Sequence, residues 1–168
     1  MVMGFKQSVV CKLGGHVNSN PELVVSYPPL NISNAEDQKE TINECLPFGC
    51  KAGDIIEKKY RKNTMISYIF TIDNVKERDD LFSFSILLNK KDEIDLYKAV
   101  IQEFIVLLRK NGLLEEKTFI DFQESIYNSF NQEIDLTLGS KSFPLSQMFK
   151  DKRDELNLSE FEPRGSFF

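Results

Sequence analysis

Histidine is almost missing from this chain: His16 is the only one. A Cys–His or Ser–His nucleophile pair would have to be built on it, in the glycine-flanked turn Gly14-Gly15-His16. An exposed loop histidine is the simpler expectation. Cysteine is scarce as well. Cys11, Cys45 and Cys50 are odd in number and thinly spread, which points to reduced thiols in a cytoplasmic setting rather than a disulfide framework. Zinc takes about four ligands, and Cys45 and Cys50 have neither a second pair nor a nearby histidine. Cys45 reads as a small buried hydrophobe on a helix. Positive charge is in the minority, 21 Lys and Arg against 26 Asp and Glu, for a net charge of −5. Binding nucleic acid rests on neutralising phosphates, so no nucleic-acid partner is expected.

Long apolar runs are missing too, and none reaches the length that spans a bilayer. The start, Met1-Val2-Met3-Gly4-Phe5-Lys6, has no signal-peptide core, and Gly4 is misplaced for myristoylation. No phosphate-cradling glycine loop occurs. Gly49-Cys50-Lys51-Ala52-Gly53 and Gly139-Ser140-Lys141-Ser142 put Gly beside Lys without the Walker spacing between a strand and a helix. In Arg78-Asp79-Asp80 the adjacent carboxylates point in opposite directions, so loop ordering and strand initiation explain them better than acid–base chemistry. No catalytic residue, cofactor site or metal site is expected.

What the chain does have is phenylalanine, 14 of 168 residues, and two strongly alternating segments. Met65–Ile72 sets Ile66, Tyr68, Phe70 and Ile72 against Ser67, Ile69 and Thr71. Phe82–Leu88 sets Phe82, Phe84, Ile86 and Leu88 against Ser83, Ser85 and Leu87. Both read as strands, joined as an antiparallel hairpin across Asp73-Asn74 and Lys76–Asp80. Ile69 and Leu87 leave neither strand a wet face, so both belong inside a doubly covered sheet. Asp92 is the expected cap of a helix running to Asn111-Gly112, with Ile94, Tyr97, Val100, Ile101, Phe104, Ile105, Leu107 and Leu108 apolar over a wide face.

Earlier in the chain, Phe5–Leu13, Glu22–Tyr27 and Ile55–Lys62 read as strands. Ser33-Asn34-Ala35-Glu36 has capping-box spacing before a short helix that carries Ile42, Cys45 and Leu46 and stops before Pro47. Later, Glu115–Gln132 places Phe119, Phe122, Ile126 and Phe130 at helical spacing. Leu136–Ser142 reads as a linker, Leu145–Leu156 as a fourth helix, and Leu158–Phe168 as tail. The order β-β-α-β-β-β-α-α predicts an α+β fold. One helix covers one face of a five-stranded antiparallel sheet and two cover the other.

Three segments carry a resemblance: Leu23-Val24-Val25-Ser26-Tyr27-Pro28-Pro29-Leu30, Leu46-Pro47-Phe48-Gly49-Cys50-Lys51-Ala52-Gly53-Asp54 and Arg78-Asp79-Asp80-Leu81. They resemble the SYPP, PFG-K-GD and RDDL segments of longin domains, in the branch related to the N-terminal parts of DENN, folliculin and nitrogen-permease-regulator proteins. Such domains often have Gly-Pro before the second strand, where this chain reads Asn20-Pro21. The resemblance implies a profilin-like longin domain over residues 1–139, with residues 140–168 as a helical extension. Its motif positions here are Tyr27, Pro28, Pro29, Pro47, Gly49, Gly53, Asp54, Arg78, Asp79 and Asp80.

The same resemblance implies a non-catalytic platform for a small Ras-like GTPase in vesicle traffic, as a subunit of a guanine-nucleotide exchange factor or tethering complex. It further implies pairing with another longin or roadblock domain, and peripheral membrane association through the partner. Lys58, Lys59, Arg61 and Lys62, on the strand that is an edge in the longin order, are the expected partner-binding residues, with Ile42 and Phe48. Lysines on an edge discourage unwanted pairing, which is the default explanation of the run, and a docking patch for an acidic partner or an anionic lipid is the sharper alternative; a monomer or weak homodimer is expected alone. Two rivals remain. One is a SNARE- or coat-like adaptor that takes a peptide beside the first helix. The other is a small enzyme on a profilin-like scaffold, which the missing His, Cys and Gly constellations disfavour.

Overall fold

The structure, a computed structural model, describes residues 7–13, 20–30, 34–72, 80–89 and 93–161, with side chains described to residue 157. Its centre is a five-stranded antiparallel sheet in the order β2-β1-β5-β4-β3. The strands are β1 Gln7–Leu13, β2 Glu22–Tyr27, β3 Ile55–Tyr60, β4 Asn63–Ile72 and β5 Asp80–Leu88. The predicted hairpin is its core: β4 pairs with β5 in a register that sets Ile66 opposite Ile86 and Phe70 opposite Phe82. Four helices, α1 Ala35–Cys45, α2 Ile94–Lys110, α3 Glu116–Gln132 and α4 Leu145–Phe161, complete a mixed α+β molecule.

Alternation along each strand divides the core in two, because successive side chains leave a strand on opposite sides. Val10, Ile66, Phe70, Phe82, Phe84 and Ile86 join the apolar residues of α2, α3 and α4 in one cluster. Val9, Cys11, Met65, Ile69 and Leu87 join Cys45 and Leu46 at the end of α1 in another. The first cluster is built of rings. Phe130 of α3 lies 5.9 Å from Phe84, 5.2 Å from Phe104 and 5.8 Å from Phe149, ring centre to ring centre.

The long helix stops as its sequence predicts. Gly112 takes φ +70°, and the N–H groups of Gly112 and Leu113 donate to the carbonyls of Arg109 and Leu108 at 3.2 and 2.8 Å, closing a Schellman turn.

Several expectations need correction. The third strand ends at Tyr60, not Lys62, and the fourth starts at Asn63. Arg61 and Lys62 form a two-residue hairpin turn with φ of +48° and +70°, the type I′ geometry that suits a twisted hairpin. The first helix is capped by Asn34, whose Oδ1 accepts from the Asp37 N–H at 3.2 Å. The cap thus lies one residue beyond the expected Ser33, and the Asp37 carboxylate accepts from the Asn34 side-chain amide at 2.7 Å rather than closing a capping box; Ser33 is outside the described residues. Glu93 precedes α2 without capping it. Asp92, His16, Phe5, Arg78 and Asp79 also fall outside the described residues; Asp80 begins β5 opposite Ile72.

The expected linker is a small hairpin, β6 Leu136–Leu138 with β7 Lys141–Phe143, turning at Gly139. The expected tail is partly helix, since α4 continues to Phe161. The expected domain boundary between residues 139 and 140 falls in the turn of that hairpin. Leu136 and Leu138 before it and Phe143, Leu145 and Phe149 after it lie in one cluster. Arg153 ties α4 down, donating to both Glu93 oxygens (3.2 and 3.0 Å) and both Glu133 oxygens (3.0 and 2.9 Å). These charge-assisted bonds hold the guanidinium well above its ordinary pKa.

Candidate interaction surface

The six residues expected to meet a partner come from three neighbouring elements: α1, the loop after it, and the β3–β4 hairpin. Strand β3 is an edge of the sheet. Ile56, Lys58 and Tyr60 face α1, while Glu57 and Lys59 face the other side, where Glu57 pairs with Lys98 of α2. The basic run is therefore split by the pleat, and much of it is neutralised. Lys58 pairs with Glu44 at 2.7 Å, and Arg61 with Asp37 and Glu40 at 3.0 and 2.9 Å, all three acids on α1. Only Lys59 and Lys62 of the four cations have no carboxylate within ion-pair distance among the described residues. The acidic face of α1 sets this division, and the run read alone does not show it.

Beneath those ion pairs lies a short polar relay. The Thr41 hydroxyl donates to the Asp37 carbonyl at 2.9 Å, leaving its lone pairs for the Tyr60 hydroxyl 2.7 Å away. Burial raises the Tyr60 phenol above its usual range, against the lowering effects of Thr41 and of Arg61 over its ring. A cavity of about 270 Å³ opens here between Gln7, Leu30, Asp37, Thr41, Tyr60 and Arg61. Its acid and its base are already paired with each other, which leaves little to recognise a ligand. Ile42 is half-buried and packs inward toward Cys45 and Leu46.

The loop from Pro47 to Asp54 is held at several points. Gly49 and Gly53 take φ of +85° and +94°, a region costly for side-chain-bearing residues. Asp54 accepts the Lys51 N–H at 2.8 Å, and the Asp54 N–H donates to the Lys51 carbonyl at 3.0 Å. Gly53 donates to Ile69 and Ile69 to Asp54, at 2.7 and 2.9 Å, extending the β3–β4 ladder by one step. The Pro, Gly, Lys, Gly and Asp of this motif are thus turn chemistry. Its phenylalanine is not: Phe48 stands 107% exposed, beside a loop pinned to the sheet. The Tyr27-Pro28-Pro29 segment is also structural. Ser26 Oγ accepts from the Leu30 N–H at 3.0 Å, and Gln7 Nε2 donates to the Pro28 carbonyl at 2.7 Å.

The apolar layer under α1 has small polar side chains set into it. Ser67 and Ser85 share a hydrogen bond of 2.7 Å, and the Cys45 thiol donates toward Met65 Sδ at 4.0 Å. Cys11, a free thiol in hydrogen-bond contact with the Cys45 thiol and closed off from water, is held well above the ordinary thiol range. Cys50 is only half-buried, and burial with nearby Asp54 raises its pKa as well. Thiolate is the reactive form, so a raised pKa means slow reaction at neutral pH and faster reaction as pH climbs. With dithiobis(nitrobenzoate), the native protein should release one equivalent, from Cys50, at a rate that rises through and above the usual thiol range. Cys11 and Cys45 should react only once denaturant is added. Release of all three equivalents from native protein at a single rate would contradict the burial of the pair.

Among the described residues, no group of three or more His, Cys, Asp or Glu could hold a metal ion, and no helix is long and apolar enough to cross a membrane. No protein-family model matches the chain, and a search of curated proteins finds no match.

Proposed function

We propose that this protein is a non-catalytic longin-type platform that engages a small Ras-like GTPase within an exchange or tethering complex. The observation that carries the reading is Phe48, a fully exposed aromatic on a loop pinned by backbone bonds to β4. Large aromatics standing free beside a rigid scaffold are the side chains that become anchors when a partner covers them. The element order and the edge position of β3 agree with the longin resemblance of the three sequence segments. A rigid surface of this kind promotes exchange by deforming the switch regions, weakening nucleotide and magnesium binding without covalent chemistry.

The test is capture of a panel of small GTPases loaded with GDP, with GTP or with no nucleotide. Selective capture of one nucleotide state is expected, the nucleotide-free state if the protein belongs to an exchange factor. Phe48→Ala should weaken capture by roughly tenfold or more, with the fold intact. Capture indifferent to nucleotide state would favour the peptide-binding adaptor. No capture of any GTPase, or full capture by the Phe48→Ala protein, would overturn the reading.

A further inference from the structure

On the side of the β3–β4 hairpin away from α1, a groove of about 580 Å³ is lined by Lys58, Lys59, Lys62, Asn63, Thr64 and Ile94. Its volume is in the range that accommodates small organic ligands. Lys59 and Lys62 lie in it without a carboxylate partner among the described residues, whereas Lys58 is held by Glu44. Glu57, the acid in the groove, is engaged by Lys98. The cations left over therefore face open space in a chain whose net charge is −5. Thr64, paired with Lys59 across the hairpin, adds a hydroxyl on the same face.

The turn supplies a second argument. Both of its central residues have positive φ, a conformation that Gly and Asn adopt readily and that disfavours lysine. Arg61 is used there by Asp37 and Glu40 of α1. Lys62 has no such use among the described residues, so the fold alone gives no reason for a lysine at φ +70°.

We propose that this groove binds a phosphate-bearing small anion, with Lys59 and Lys62 as paired donors and Thr64 as a neutral one. Two ammonium groups with a hydroxyl match a phosphate monoester, which carries close to two negative charges near neutral pH and offers three acceptor oxygens. A free phosphorylated compound and a phosphorylated lipid headgroup share that chemistry. The proposal does not depend on the GTPase reading, because that reading rests on Phe48, which lies outside this groove, and concerns a different ligand.

Calorimetry with pyrophosphate and inositol hexakisphosphate, alongside co-sedimentation with phosphatidylcholine vesicles with and without phosphatidylinositol bisphosphate, tests it on the full chain. Saturable, salt-sensitive binding is expected in at least one arm. The soluble arm alone would assign a free metabolite, and the vesicle arm a lipid headgroup. Lys62→Gly should weaken binding roughly tenfold, the order of one charge-assisted bond, while melting at or above the parent temperature because glycine relieves the turn. Lys59→Ala should weaken binding similarly, and Lys39→Ala, on α1, should leave it unchanged. Absence of saturable binding in both arms overturns the proposal. So does binding that survives Lys62→Gly together with Lys59→Ala, or a polyglutamate peptide that binds as tightly as the phosphates.

Discussion

Deleting residues 140–168 is expected to abolish cooperative folding. The deletion removes Phe143, Leu145, Met148 and Phe149, each at most 5% exposed, from the same cluster that holds Phe84, Phe104 and Phe130. Each such side chain contributes about 1.5–3 kcal/mol on burial, so the loss is on the order of 10 kcal/mol before counting the cavity it leaves. That is comparable with the whole stability of a typical domain, roughly 5–15 kcal/mol. It also unpairs β6 from β7 and takes Arg153 away from Glu93 and Glu133. Deleting only residues 157–168 keeps all of these and is expected to leave the melting temperature nearly unchanged. Thermal melts of the two truncations by circular dichroism decide the matter. Equal stability of both, with tighter partner binding by the shorter, would show the extension to be a lid instead.

The second large effect is expected at Phe130→Ala. This ring is fully buried and meets rings from a strand and two other helices, at Phe84, Phe104 and Phe149. Truncating a buried Phe costs about 3–5 kcal/mol, the transfer term plus a cavity that a rigid ring cluster fills poorly. Urea denaturation should show a lower midpoint with an unchanged slope, the midpoint shift times that slope giving this loss, and Phe130→Leu should lose markedly less. Paired with Phe149→Ala, the losses should be less than additive, because the two truncations share one cavity. Strict additivity would mean that α3 and α4 do not meet through these rings.

The elements that could be read in advance were those whose burial leaves a periodic record. Ile66, Phe70, Phe82, Phe84 and Ile86 recur at two-residue spacing, and Val100, Ile101, Phe104, Ile105 and Leu108 at helical spacing, so each strand or helix announced its inner face. Leu136–Leu138 and Lys141–Phe143 read as linker in the sequence because three residues per strand are too few to show a period. Arg61 and Lys62 read as strand because nothing in an Arg-Lys pair marks a turn; the hairpin imposes positive φ on residues that do not favour it.

At the candidate surface, the residue types were legible and their pairing was not. Phe48 stands in a motif that the sequence shows, and its exposure follows from a loop closed by Lys51, Gly53, Asp54 and Ile69. Lys58, Lys59, Arg61 and Lys62 read as one basic run, yet Lys58 and Arg61 are matched to Glu44, Asp37 and Glu40 on a helix that precedes them. The groove that takes in Lys59 and Lys62 also includes Ile94, more than thirty positions further on. The sequence by itself determined the five main strands, the four helices and the inner faces of the sheet, since those follow from period and propensity within one segment. Which charges cancel and which cations stay open were decided only by the tertiary structure. Each of these depends on groups distant in sequence meeting within a few ångströms, and no local pattern encodes such a meeting.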